Sequence, residues 1–337
     1  MTTQSSTQSS KTTISTPPLP PPPKKYHVLI TGASSGLGRA FFEHFSAFPP
    51  TTHHIRGVDA RPYPNHPNVS SCTVGTSGHY NQLDLSAEAL VQKFVRSATT
   101  TNASITCTTS PTISYRQPHH HNQSQTPTTP PPPTTTATSS SYTPSTPRSA
   151  SNADPPPQHI GPFDLVIHSA GIRGLVPSHE AQDPSDVAGA ETIAAMDAAT
   201  MRRAFEINTL AAFTLIKALL PSLRENPSRP RVVVMASRMG SVASNAAGGA
   251  YAYRASKAAL NAVLRSFSID VPEVAFALVH PGRVETGLVR TREEGAIEVG
   301  ESVGDMLGLI ERLGQEEGNR GLKSGCFVDR WGKEIPW

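Results

Sequence analysis

Short apolar runs alternate with helically spaced apolar residues along most of the chain. Tyr26-His27-Val28-Leu29-Ile30, bounded by Thr31-Gly32, predicts a buried strand. Ala40, Phe41, Phe45 and Phe48 give residues 39–48 a helical period that stops at Pro49-Pro50. Residues 55–59 predict a second strand, and 60–78, rich in Pro, Asn, Ser and Gly, a long loop. A third strand is predicted over 80–85, then a helix over 86–95 with Ser86 as N-cap. The alternation resumes with a strand over 163–167 and a surface loop or short helix over 177–194. A long helix follows over 200–223, with Phe205, Leu210, Phe213, Leu215 and Leu219 among its apolar positions. Further strands are predicted over 231–235, 274–279 and 326–329, and helices over 251–269 and 301–313. Strands alternating with helices predict an α/β fold: one doubly wound domain around a parallel sheet covered on both faces.

Two stretches carry neither period. Residues 1–24 and 97–160 hold 18 of the chain's 32 prolines and only five charges, Lys11, Lys24, Arg116, Arg148 and Asp154. Their Ser, Thr, Pro and Gln cannot bury enough apolar surface to offset ordering entropy, so a disordered tail and a disordered insertion are expected. The run His119-His120-His121 in the insertion reads as bystander composition. The remaining 249 residues suit one domain over 25–337, interrupted by 97–160. They carry 25 basic and 25 acidic residues, so the net charge of +3 comes from the two stretches and points to no nucleic acid. Cys72, Cys107 and Cys326 are too few and too scattered for a disulfide framework or a zinc site, and no metal is expected. No run approaches the ~20 apolar residues of a membrane span. The N-terminus lacks an apolar signal core, and an intracellular, cytoplasmic protein is expected.

The candidate chemistry lies at strand ends. Thr31-Gly32-Ala33-Ser34-Ser35-Gly36-Leu37-Gly38 joins the first strand to the first helix. A glycine-rich turn there brings backbone N–H groups and a helix N-terminus close to a pyrophosphate. Asp59, at the end of the second strand, can accept hydrogen bonds from a ribose. Tyr253 and Lys257 stand one above the other on a helix. An ammonium beside a phenol favours the phenolate, which suits Tyr253 to proton transfer. Ser237 follows the strand over 231–235 and can project a hydroxyl at the sheet's carboxyl edge. Ser241 and Tyr251 are the nearby competitors. Ser237 is nearer the strand end, and only Tyr253 has a lysine four residues on.

Together these residues resemble the short-chain dehydrogenase/reductase family, over the chain from Tyr26 to Trp337 apart from the insertion. The glycine motif matches TGxxxGxG, and Tyr253-Arg254-Ala255-Ser256-Lys257 matches YxxxK. Asp84-Leu85 matches the acid that hydrogen-bonds adenine, and Pro281-Gly282-Arg283-Val284-Glu285-Thr286 matches PGxVxT at the nicotinamide end. Gly240-Ser241, Gly248-Gly249 and Ile335-Pro336-Trp337 resemble the narrower C-factor-like or sniffer-like carbonyl reductases. One departure is His168-Ser169-Ala170-Gly171, where the family has NNAG, so the usual amide bracing is missing.

The resemblance implies a Rossmann-type fold and an NAD(P)-dependent oxidoreductase that moves a hydride between nicotinamide and a carbonyl or alcohol. It implies Tyr253 as general acid/base, Ser237 positioning the carbonyl oxygen, Lys257 on the nicotinamide ribose, and Asn208 as the fourth catalytic residue, anchoring a water. Gly32, Ser35, Gly36, Leu37, Gly38, Asp59, Asp84, Leu85, Ser169, Ala170, Gly171, Tyr253, Lys257, Pro281, Gly282, Val284 and Thr286 are the implied cofactor contacts. Asp59 suits an NAD 2′-OH and repels an NADP 2′-phosphate, while Arg56 and Arg61 could reach one, so NAD is preferred. The expected partner is a small carbonyl or alcohol substrate, with a homodimer or homotetramer as the assembly and no membrane. A non-catalytic nucleotide-binding signalling scaffold is the alternative. An extended-type epimerase would need a large C-terminal domain, and only about 50 residues follow Thr286.

Overall fold

The computed structural model describes residues 24–64, 71–97, 162–289, 291–292, 294–315 and 321–337. The expected tail and insertion lie outside the described residues, apart from Lys24 and Ser97 at their edges.

Strands built around continuous apolar runs sit where both faces are covered. That is the place of β1 (Tyr26–Thr31), β5 (Leu165–His168), β6 (Arg231–Met235) and β7 (Ala275–His280), which are buried along almost their whole length. Around them the sheet runs in the order β3-β4-β2-β1-β5-β6-β7-β8, with β2 at His53–Asp59, β3 at Ser71–Val74, β4 at Gly78–Gln82 and β8 at Cys326–Asp329. All neighbours pair in parallel except β3, which lies antiparallel to β4 at the edge.

Successive side chains point to opposite faces, so each central strand feeds two cores. Leu29, Val166, Val232 and Val234 meet α2 (Glu88–Ser97), α5 (Ala211–Arg224) and α6 (Tyr251–Asp270) on one face. Ile30, Ile167, Val233 and Met235 meet α1 (Gly36–Ser46) and α7 (Val299–Arg312) on the other. Phe41 and Phe42 of α1 are fully buried, each adding ~1.5–3 kcal/mol of transfer free energy. The short α3 (Pro177–Gln182) and a 3-10 turn at Gly189–Glu191 follow β5.

Several expectations need correction. The loop expected over 60–78 contains β3, because Ser71–Val74 pairs with β4 through a hairpin rather than through an apolar pattern of its own. The third strand expected over 80–85 is Gly78–Gln82. The helix expected from Ser86 begins at Glu88, since the Ser86 amide and hydroxyl bond back to Asp84 at 2.9 and 2.7 Å in a turn. The helix over 200–223 is three pieces, α4 (Ala198–Phe205), a π turn at Glu206–Leu210 and α5. Phe205, Leu210 and Phe213, expected among its apolar positions, are exposed. The extra residue in the π turn shifts the buried stripe onto Ala204, Asn208, Ala212 and Leu215. The 27-residue stretch Ala198–Arg224 is long and apolar enough to cross a membrane by length and composition. Here its buried side packs on the sheet.

Candidate active site

A cavity of about 1270 Å³ opens along the carboxyl ends of the parallel strands. That edge is where an open α/β sheet leaves room for a ligand, because the connections leave it in opposite directions. One end is the turn between β1 and α1. Gly32 has φ +70°, and a Cβ on it would stand 2.9 Å from the Ala170 nitrogen. A Cβ on Gly38 would come 2.3 Å from the Gly32 carbonyl, so only glycine lets helix and strand pack this closely. Gly32, Ser35, Gly36 and Leu37 face the cavity, and the first-turn N–H groups of α1 have no intrahelical acceptor. Gly38, expected among the cofactor contacts, does not line the cavity and shapes the turn that does.

Asp59 is fixed beside that turn. Its Oδ2 accepts from the Ser34 amide at 3.2 Å and the Ser34 hydroxyl at 2.6 Å, and its Oδ1 accepts from the Arg61 amide at 3.1 Å. The Arg61 guanidinium donates to the Ser35 hydroxyl and lies 3.8 Å from Asp59. A carboxylate and a guanidinium thus share one end of the cavity. Asp84 and Leu85 line it next to them.

The middle wall is Ser169, Ala170 and Gly171. Thr31 Oγ1 accepts from the Ser169 and Ala170 amides at 3.1 and 3.2 Å, so its own proton is directed at His168 Nδ1, 3.0 Å away. That makes His168 the Nε2–H tautomer. The bracing expected from an amide side chain comes instead from a hydroxyl and an imidazole. Burial, with Lys257 nearby, pushes the His168 pKa down to about 3, so the ring is neutral.

The other end gathers Ser237, Tyr253, Lys257, Pro281, Gly282 and Val284, while Thr286 reaches back to the glycine turn, its Cγ2 3.1 Å from where a Cβ on Gly36 would stand. Ser237 caps a 3-10 turn at Arg238–Gly240, its Oγ accepting from the Met239 amide at 3.2 Å. Tyr253 is buried on α6, and the Lys257 ammonium lies 5.8 Å from its ring centroid. Lys257 Nζ donates to the Met235 carbonyl at 2.9 Å, and burial lowers its pKa to about 8. The competitors fall elsewhere. Ser241 is held by Ser244 at 2.9 Å and by the Pro336 carbonyl, outside the cavity wall, and Tyr251 is 38% exposed.

Asn208, expected to anchor a water, does not line the cavity itself. Its Oδ1 accepts from the Ile172 amide at 2.8 Å, and its Nδ2 donates to the Ile172 carbonyl and to Ser256, both at 2.9 Å. It clamps the β5 loop to α6 from behind Gly171: a Cβ on Gly171 would stand 3.0 Å from its Oδ1 and 3.7 Å from Lys257 Nζ. Sequence reasoning missed Arg173, which lines the cavity with its guanidinium 5.0 Å over the Tyr253 ring. Its only sequence signal is its place two residues after Gly171. Among the described residues no group of three or more His, Cys, Asp or Glu is placed to hold a metal.

Comparison with known proteins bears on the family and the fold. Residues 154–296 match the short chain dehydrogenase family. The C-signal protein of Myxococcus xanthus is 39% identical over 179 residues, covering 52% of this chain and 94% of the relative. A 1-hydroxy-2-glutathionyl-2-methyl-3-butene dehydrogenase of Rhodococcus is 32% identical over 173 residues, covering 50% and 69%. The carbonyl reductase Sniffer of D. melanogaster superposes with a TM-score of 0.58 at 20% identity, over 93% of this chain and 100% of that one. An NADPH-bound carbonyl reductase from chicken fatty liver does so with a TM-score of 0.60 at 22% identity, over the same shares. Identity with C-signal across nearly all of that relative, a parallel sheet in this strand order and a glycine turn opening onto it place the chain in the short-chain dehydrogenase family.

Proposed function

We propose that this protein is an NAD(P)-dependent carbonyl reductase or alcohol dehydrogenase. The observation that carries the reading is the convergence of Ser237, Tyr253 and Lys257 on the one cavity that also holds the glycine turn, while Ser241 and Tyr251 stand outside it. A dinucleotide fits these residues. The α1 N-terminus meets a pyrophosphate, Asp59 and Asp84 meet the adenosine end, and Ser169 to Gly171, Pro281, Gly282 and Val284 bound the nicotinamide end, with Thr286 reaching back to the glycine turn. Bound there, nicotinamide supplies or accepts the hydride. Tyr253 gives its proton to the carbonyl oxygen, which Ser237 Oγ holds by a hydrogen bond. The Lys257 ammonium favours the Tyr253 phenolate and meets the ribose hydroxyls. Asn208 keeps the β5 loop and α6 in register from behind.

Asp59, fixed by Ser34, favours NAD. Arg61 at Ser35 supports a second reading in which NADP is accepted, and the solved carbonyl reductase from chicken holds NADPH. Asp59→Ala weakens NAD more than NADP on this reading, and tighter NADP binding by the unmutated protein would reverse the assignment. Tyr253→Phe lowers turnover of a carbonyl panel by ~10²–10⁴ with cofactor binding kept, whereas Tyr251→Phe changes it little. The reverse pattern would mean that the site is read out of register. The relative named C-signal supports a signalling-scaffold reading as well. Cofactor binding with no turnover of any carbonyl or alcohol would favour it. Deleting 97–160 and bridging the flanks leaves a folded, cofactor-binding domain, which a thermal melt checks.

A further inference from the structure

We propose that Arg173, clamped by Glu191, is a second cation that sets the ionisation of Tyr253 together with Lys257. The inference rests on Tyr253 being the acid/base group of the proposed function, and Arg173 acts through it as a positioning residue.

Three observations support it. First, the guanidinium is fixed. Arg173 Nε donates to Glu191 Oε1 at 2.5 Å and Nη2 to Oε2 at 3.0 Å, a two-point pair whose side chains are 12% and 8% exposed. Such a fork holds the cation in one orientation, which a lysine cannot do. Second, it lies 5.0 Å over the face of the Tyr253 ring, closer than the Lys257 ammonium at 5.8 Å. A cation on a ring face is attracted by the π-system, and by a phenolate more than by a phenol. Third, the clamp is tied to the backbone that presents Tyr253. The Glu191 carbonyl accepts from the Ala250 amide at 3.0 Å, and Ala250 is the N-cap of α6, three residues before Tyr253. The 3-10 turn therefore fixes both the cation and the helix that must face it.

The other charged groups near this wall do not replace Arg173. Arg254, the next residue on α6, turns to the Gly248 carbonyl at 3.1 Å and the Met239 carbonyl at 3.5 Å. Arg238, in the 3-10 turn after β6, lies 3.7 Å from Asp329. His280, at the end of β7, has its pKa pushed down to about 4 by burial and is neutral at working pH. Glu191 is the carboxylate that opposes the effect, so the two partners of the clamp push Tyr253 in opposite directions.

The test reads the phenol directly, without cofactor or turnover. The full chain, labelled with ζ-¹³C-tyrosine, gives seven tyrosine signals, and the Tyr253 signal is the one missing from Tyr253→Phe. Its titration midpoint is followed with pH by NMR. Arg173→Gln raises that midpoint by about one pH unit, a tenfold change in the ionisation constant, and Arg173→Lys returns most of it. If Arg173→Gln fails to fold with Glu191 left unpaired, Glu191→Gln makes the same test with the opposite sign, lowering the midpoint. Unchanged midpoints in both the Arg173→Gln and Glu191→Gln variants, or equal midpoints for Arg173→Gln and Arg173→Lys, would overturn the proposal. The acid/base reading fails separately, through a Tyr253→Phe protein that still turns over.

Discussion

The two flanks of β1 are built from different material. On one side β5, β6 and β7 are apolar along almost every position and buried on both faces. On the other side the sheet turns polar. β4 carries His79 between its two buried residues and ends in Asn81 and Gln82, and β3 has no fully buried residue. Across this flank His27, His54 and His79 meet edge to face, with ring centroids 5.3 and 5.7 Å apart. The apolar flank holds Ser237 and α6, which packs on β7; the polar flank carries Asp59. A central strand is specified by its own side chains. An edge strand is specified by what it pairs with, and here the β3–β4 hairpin is pinned by Thr76 and Ser77 amides donating to the Ser46 carbonyl of α1 at 2.8 and 3.2 Å.

This contrast can be tested by substitution, and the largest effect is expected at its centre. Ile167→Ala removes a fully buried side chain from β5 and should cost ~2–5 kcal/mol in denaturant unfolding. A loss below ~1 kcal/mol would mean that the central strands are less closely packed than their burial indicates. Lys257→Met carries the opposite sign. Burial lowers the Lys257 pKa from 10.5 to about 8, so the charged form destabilises the fold below pH 8. Removing it should stabilise the domain by on the order of 2 kcal/mol at neutral pH while turnover is lost. A less stable variant would show that the bond to the Met235 carbonyl outweighs the desolvation.

The polar flank should respond to pH instead. Burial lowers the pKa of His54 from 6.5 to about 4, and those of His27 and His79 also fall. The unfolded chain therefore binds these protons first. Stability is whole above about pH 6.5 and drains away as the pH falls towards 4. His168 and His280 add to the same slope. His54→Gln should flatten it only by its own share, ~1 kcal/mol after allowing for screening at a half-exposed site. An unaltered slope would assign the whole effect to the central histidines. Thr73→Ala, at the exposed position of β3, should change stability by less than ~0.5 kcal/mol.

The same contrast decides what could be read in advance. β6 and β8 occupy the predicted residues, and the glycine turn, Asp59, Ser237, Tyr253 and Lys257 all reach the cavity, because apolar runs and motif spacings are local properties. β3 was illegible because Ser71, Cys72 and Thr73 acquire their place from β4 and carry no period. Ser86 looked like a helix cap, but its competing bonds to Asp84 keep it in a turn. Arg173 was illegible for a different reason. Its role depends on Glu191 and Tyr253, residues 18 and 80 positions away that only the folded chain brings to it.

The π turn at Glu206–Leu210 leaves this protein open to a kind of lesion that substitution scans do not sample. The wide coil accommodates one residue more than an α-helix would over the same span. Removing a single codon there, that of Ile207 for example, would close the coil into ordinary helix without introducing any disfavoured residue. α4 and α5 would keep their relative orientation, because the turn held the extra residue over the same span, but the residues inside the turn would be re-registered. Asn208 would swing out of its bonds to Ile172 and Ser256, and the β5 loop would lose its clamp to α6. Chain length within this helix is therefore as much a part of the site as the identity of any side chain, and a frame-preserving deletion can disable it without exchanging a residue that faces the cavity.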